Sequence, residues 1–128
     1  MSTPAVKIIC MMNRKPGMSM ADFKAYYENN HVPLINRLIP HWSEYRRNFA
    51  VEEDYSTGHL PDDVSANRPF DVLMEMSFDS RAKYQKMVDA LSDPTIGEII
   101  TKDEENFFDR ASIRVYIVDE CHSQTVAA

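Results

Sequence analysis

His31 is the side chain best suited to moving protons near neutral pH, because imidazole alone titrates there without a large perturbation. It stands in Asn-Asn-His-Val-Pro-Leu, residues 29–34, shortly after the aromatic pair Tyr26-Tyr27. Met20, Phe23, Tyr27 and His31 recur at helical spacing, so the ring shares the apolar stripe of a helix. Pro33 biases Val32 away from the α region, and the helix is therefore expected to end near His31. There the ring would meet the partly negative carbonyl end of the helix, which favours the protonated form. Such a ring could exchange a proton with an enol, hydroxyl or lactone oxygen. The structural alternative is a C-cap that bonds the last carbonyls.

Carboxylates supply the natural partners. Asp103 falls among Ile99, Ile100 and Phe107 on a helical face, where partial desolvation would let it hold a raised pKa or orient an imidazole. It could equally cap the turn formed by residues 104–109. Asp71 and Glu75 alternate with apolar positions of a strand and would anchor a ligand, or be solvated or paired with Arg46 or Arg114. Tyr27, Tyr45 and Tyr116 could donate to a substrate oxygen, although a buried tyrosine more often packs with its hydroxyl satisfied.

The elements that must position these groups follow from local chemistry. Residues 6–13 form an apolar strand with Val6, Ile8, Cys10 and Met12 on one face and Lys7, Ile9 and Met11 on the other. Pro16-Gly17 suits a tight turn, and Ser19 with Asp22 resembles a capping box opening a helix at Met20. Residues 34–39 suit a short helical turn, residues 41–51 a strand, and residues 52–69 a long surface loop able to act as a lid. Phe70 to Phe78 alternates as a strand. Ser80 caps a helix with Tyr84, Met87, Val88 and Leu91 on one face, and Asp93-Pro94 starts another. Residues 111–120 form the last strand.

The order strand, helix, strand, strand, helix pair, strand fits an α+β split βαβ unit. It has a ferredoxin-like, four-stranded antiparallel sheet with helices on one face. The uncovered face would expose Ile9, Met11, Leu73 and Val118 together, a patch of the kind that marks an interface. Two sheets pairing face to face would close a barrel around a cavity lined by Asp71, Glu75, Tyr116 and methionines such as Met11, with His31 at its rim. One domain over residues 1–120 and a polar tail over 121–128 account for the chain.

Composition narrows the function. The 128 residues carry 14 basic and 20 acidic side chains, a net charge of −6, which argues against nucleic-acid and anionic-membrane partners. No apolar run is long enough to span a bilayer, so a soluble protein is expected. Two cysteines, Cys10 and Cys121, make no disulfide framework and suit a reducing cytoplasm. The four histidines and two cysteines lack compact metal-ligand spacing, Gly17, Gly58 and Gly97 lie too far apart for a phosphate cradle, and no Gly-x-Ser-x-Gly elbow occurs. Neither metal nor cofactor is expected.

Several segments together resemble the EthD-like members of the dimeric α+β barrel superfamily. They are Arg14-Lys15-Pro16-Gly17, the helix from Phe23 to Asn30 with Tyr26-Tyr27, the stop His31-Val32-Pro33-Leu34, Tyr45-Arg46-Arg47-Asn48, Asp103-Glu104 and Phe108-Asp109. The resemblance implies a ferredoxin-like protomer that dimerises into a barrel. It also implies cofactor-free cyclase, dehydratase, decarboxylase or isomerase chemistry on small hydrophobic, often aromatic or polyketide-derived compounds. Three functions remain open: a lyase, cyclase or isomerase using His31, a cofactor-free monooxygenase of phenols, and a dimer that binds a small ligand without turnover.

Overall fold

Alternating side chains divide each strand into two faces, and the computed structural model, which describes residues 3–53, 58–61 and 69–126, shows which face is covered. Strands β1 (Val6–Arg14), β2 (Glu44–Phe49), β3 (Val72–Phe78) and β4 (Phe108–Val118) form one antiparallel sheet in the order β2-β3-β1-β4. Helices α1 (Met20–Tyr26), α2 (Val32–Leu38), α3 (Arg81–Ser92) and α4 (Pro94–Glu104) complete the α+β fold. Val6, Ile8, Cys10 and Met12 of β1 are all buried in the core. Lys7, Ile9 and Met11 take the opposite face, opposite Ser77, Glu75 and Leu73 of β3. Of the expected loop, residues 54–57 and 62–68, and with them most of the lid, lie outside the described residues.

The caps act as their chemistry dictates. Ser19 accepts from the Asp22 amide at 3.1 Å, Ser80 from the Lys83 amide at 3.2 Å, and Asp93 from the Thr95 amide at 2.8 Å. Gly17 takes a φ of 84°, which a side chain would strain, and so closes the turn after β1.

The first helix does not end at His31, contrary to the sequence expectation. Between α1 and α2 runs a single wide π turn, Tyr27–His31, in which the Val32 amide donates to the Tyr27 carbonyl five residues back. Pro33, within the first turn of α2, brings no amide to bond and its ring crowds the preceding turn. Widening the helix by one residue relieves both conflicts, and the helix continues with Pro33 where a missing N–H costs little. His31 is therefore not at a carbonyl terminus.

Strand β4 begins earlier than expected because its pairing with β1 is interrupted. Met11 pairs with Arg114, yet Asn13 pairs with Asp109, so β4 carries extra residues between the two pairs. Ser112 secures this bulge, accepting from the Asn13 amide at 2.8 Å and donating to the Asp109 carbonyl at 2.6 Å. The bulge reverses the alternation, so Phe108 turns inward although Arg114 and Tyr116 turn outward.

Phe23, Tyr27, Phe107 and Phe108 then pack with Cys10, Met12 and Val72 into one buried cluster. Phe23 lies 5.7–6.1 Å, centroid to centroid, from the rings of Tyr27, Phe49, Phe107 and Phe108. Phe23→Ala should lower unfolding free energy by about 3–5 kcal/mol in denaturant titration, since the cavity would sit among rigid rings.

Candidate active site

The π turn presents His31 to the last turn of α4. Its Nδ1 lies 2.7 Å from Oδ2 of Asp103, and both groups are largely withdrawn from solvent. The other oxygen, Oδ1, accepts from the Tyr26 hydroxyl at 2.7 Å, and Tyr26 accepts from the Asn106 side-chain amide at 2.9 Å. Asp103 thus receives two donors and does not use its side chain to cap the following turn. With a carboxylate at Nδ1, the ring carries its proton there, and Nε2 is left without a partner among the described residues. Tyr27 meets the ring edge-on at 5.2 Å, and Phe107 and Phe108 lie 5.0 and 5.8 Å away.

His31 is only 4% exposed. Burial pushes its pKa below 6.5, the ordinary value, and the hydrogen bond and negative charge of Asp103 offset part of that shift. The sequence expectation of a favoured protonated form is therefore reversed: desolvation outweighs the partner, and the missing helix terminus removes the field that was to help.

His31 lines an apolar hollow of about 590 Å³ between the helices and the sheet of a single chain. Met12, Met74, Met76 and Met87 contribute to its walls, with Ile35, Tyr45, Ile100 and Ile113. Val115 and Ile117, also on the wall, are 57% and 61% exposed because no helix among the described residues covers β4 at the sheet edge, which leaves that side open. Burial raises the Tyr27 hydroxyl pKa well above its ordinary value and pushes that of Tyr45 up to about 12. Behind them Arg47 stacks over the Tyr45 ring at 4.7 Å and holds Glu28 through bonds of 2.9 and 2.6 Å.

Of the residues singled out from the sequence, the structure brings His31, Asp103 and Tyr27 together. Asp71, Glu75, Tyr116 and Met11 do not line this hollow, because sheet alternation puts Met11, Glu75 and Tyr116 on the face without helices. Glu75 pairs with Lys7 at 2.8 Å, which holds its carboxyl below the ordinary carboxylate value. Lys7 also binds Glu120 at 2.8 Å. Asp71 accepts from the Arg14 amide at 2.8 Å at the end of the sheet. The hollow that His31 lines is formed within a single chain, on the helix-covered face of the sheet, and Met11, Glu75 and Tyr116 lie on the opposite face.

Sequence reasoning missed Tyr26 and Asn106. Tyr26 lies off the stripe of a regular helix, and the wide turn brings it to the same carboxylate as His31. Pro33 two residues beyond a histidine was the available signal. Among the described residues no three His, Cys, Asp or Glu side chains gather as metal ligands.

A profile of the EthD domain matches residues 15–111, a span that holds the π turn and the His31–Asp103 dyad. The chain belongs to the EthD domain family. An EthD family protein of Bacillus halodurans superposes with a TM-score of 0.56 at 23% identity, covering 91% of this chain and 98% of that one. A protein of Arabidopsis thaliana gives 0.56 at 17% identity, covering 94% and 99%. A dimeric protein of ferredoxin-like fold from Bacteroides fragilis gives 0.50 at 9% identity, covering 90% and 95%. No curated protein sequence matches the chain. These likenesses establish the ferredoxin-like fold of this EthD chain, and no helix among its described residues is long and apolar enough to cross a membrane.

Asp103→Asn should move the His31 pKa further below 6.5, since the group that raises it loses its charge; NMR titration of the ring protons checks this. Because unfolded His31 binds its proton more readily than the folded ring, its burial should also weaken the fold as pH falls below 6.5. The contribution is complete above that value and lost towards the depressed one. Denaturant midpoints across that range, compared with a His31→Gln variant, measure it.

Proposed function

We propose that this EthD protein is a cofactor-independent acid/base enzyme, a lyase, cyclase or isomerase of a small hydrophobic compound, aromatic or polyketide-like. The observation that carries this reading is the imidazole of His31, held by Asp103 and buried against the apolar hollow. Nε2 takes a proton from an acidic C–H or O–H of the substrate. The imidazolium that forms is stabilised through its Nδ1–H by Asp103, a charge-assisted hydrogen bond. The lowered pKa keeps the neutral, basic ring populated at neutral pH. Tyr27 and Tyr45 orient a substrate oxygen, and the methionine side chains adapt the walls to a flat, greasy ligand. The reading uses only groups that the chain supplies.

The protein is read as a homodimer in a reducing cytoplasm. Ile9, Met11, Leu73 and Val118 lie together, partly buried, on the sheet face that lacks helices, and two such faces would cover each other. Both cysteines are free. Sedimentation at micromolar concentration should show a dimer, and a compact monomer there would remove this part of the reading.

For the chemistry, His31→Ala should slow deuterium exchange at the acidic carbon of benzoylacetone in heavy water by on the order of 10²–10⁴-fold. Circular dichroism confirms that the variant is folded. Exchange at the wild-type rate in a folded variant would take His31 out of the mechanism. Oxygen consumption with phenols would replace the reading with oxygenase chemistry.

A further inference from the structure

Helix α4 ends in two consecutive carboxyl groups that serve different surroundings. Asp103 turns to His31 and Tyr26, whereas Glu104 lines the hollow itself. Oε1 of Glu104 lies 3.3 Å from Nε of Arg110, and Oε2 has no partner among the described residues. The titratable groups around it are Cys10 on β1, Arg110 at the start of β4 and Asp103 on its own helix. Among the described residues no lysine or arginine borders the hollow.

We infer that Glu104 is the second proton-transfer group of this hollow and that the substrate is an uncharged carbonyl compound. The inference deepens the acid/base reading and rests on it. A carbonyl that loses an α-proton among apolar walls would leave an enolate with little to solvate it, so a proton donor that reaches the carbonyl oxygen lowers the barrier. His31 Nε2 takes the α-proton, the C–H electron pair becomes the carbon–carbon double bond, and the carbonyl oxygen takes the proton of Glu104. The product is the neutral enol, with an imidazolium and a Glu104 carboxylate, and return of one proton from ring to carboxylate through water resets the site. The two environments push in the directions this division of labour requires. Burial raises the Glu104 pKa, which Arg110 and its charge partly offset, and burial lowers that of His31. An anionic substrate would face the Glu104 carboxyl with no lysine or arginine among the described lining residues to receive it.

The test follows α-deuterium exchange by NMR for two neutral probes, phenylacetone and the far more acidic benzoylacetone, and for the anion phenylpyruvate. Wild-type protein should accelerate exchange of both neutral probes and leave phenylpyruvate at the solvent rate. Glu104→Gln should slow phenylacetone on the order of 100-fold and benzoylacetone by less than about tenfold, since an acidic carbon needs the donor least. Glu104→Asp, which keeps the acid on a shorter arm, should recover part of the loss, with thermal melts confirming both folds. Equal slowing of the two neutral probes, no slowing of either, or acceleration of phenylpyruvate would overturn the inference and leave the His31 reading standing. Absence of wild-type exchange with both neutral probes would overturn both.

Discussion

A buried carboxylate must be given donors, and the hydrogen bond from His31 Nδ1 to Asp103 is how this molecule supplies one. The bond joins the π turn to the last turn of α4, segments 72 residues apart in the chain. Tyr26 donates to the second oxygen, and Asn106 donates in turn to the Tyr26 hydroxyl. Once these donors are in place, the ring has its tautomer assigned and its other nitrogen uncommitted. Everything proposed for the hollow depends on that assignment.

Pro33 is the covalent origin of the geometry. Its missing amide and its ring forbid a regular helix through His31, and the chain answers with one wide turn instead of stopping. That turn places Tyr26 and His31 on a common partner while Tyr27 remains in the core. A second local irregularity, the β4 bulge, turns Phe108 inward to enclose the ring. Two departures from regular structure thus converge on one side chain, as expected where packing supports a site rather than only a core.

The sheet divides the molecule into two unlike faces. Its covered face supplies methionine and aliphatic walls, and its other face carries the Lys7 ion pairs with Glu75 and Glu120. The EthD match covers the helices, the π turn, β2 and β3, while β1 and most of β4 lie outside it. The exposed apolar side chains of β4 belong to neither arrangement completely: Val115 and Ile117 face the hollow, yet no helix among the described residues reaches over them.

Local chemistry in the sequence was enough for most elements, because caps such as Ser19, Ser80 and Asp93-Pro94 and the alternation from Val72 to Phe78 act over a few residues. It was enough, too, to single out His31, Asp103 and Tyr27, whose residue types and apolar neighbours are visible in one dimension. The protonation preference of His31 was not legible, since it turns on how much solvent the folded chain removes. The same holds for the location of the hollow: a strand shows two faces, but which of them the helices cover is a long-range packing decision. That decision put Met11, Glu75 and Tyr116 on the face opposite the hollow, and long-range packing brought Tyr26 and Asn106 to the His31–Asp103 pair. The sequence by itself determined the elements and the candidate base; only the tertiary structure decided its partners, its charge state and the cavity it faces, because those depend on contacts between residues distant in the chain.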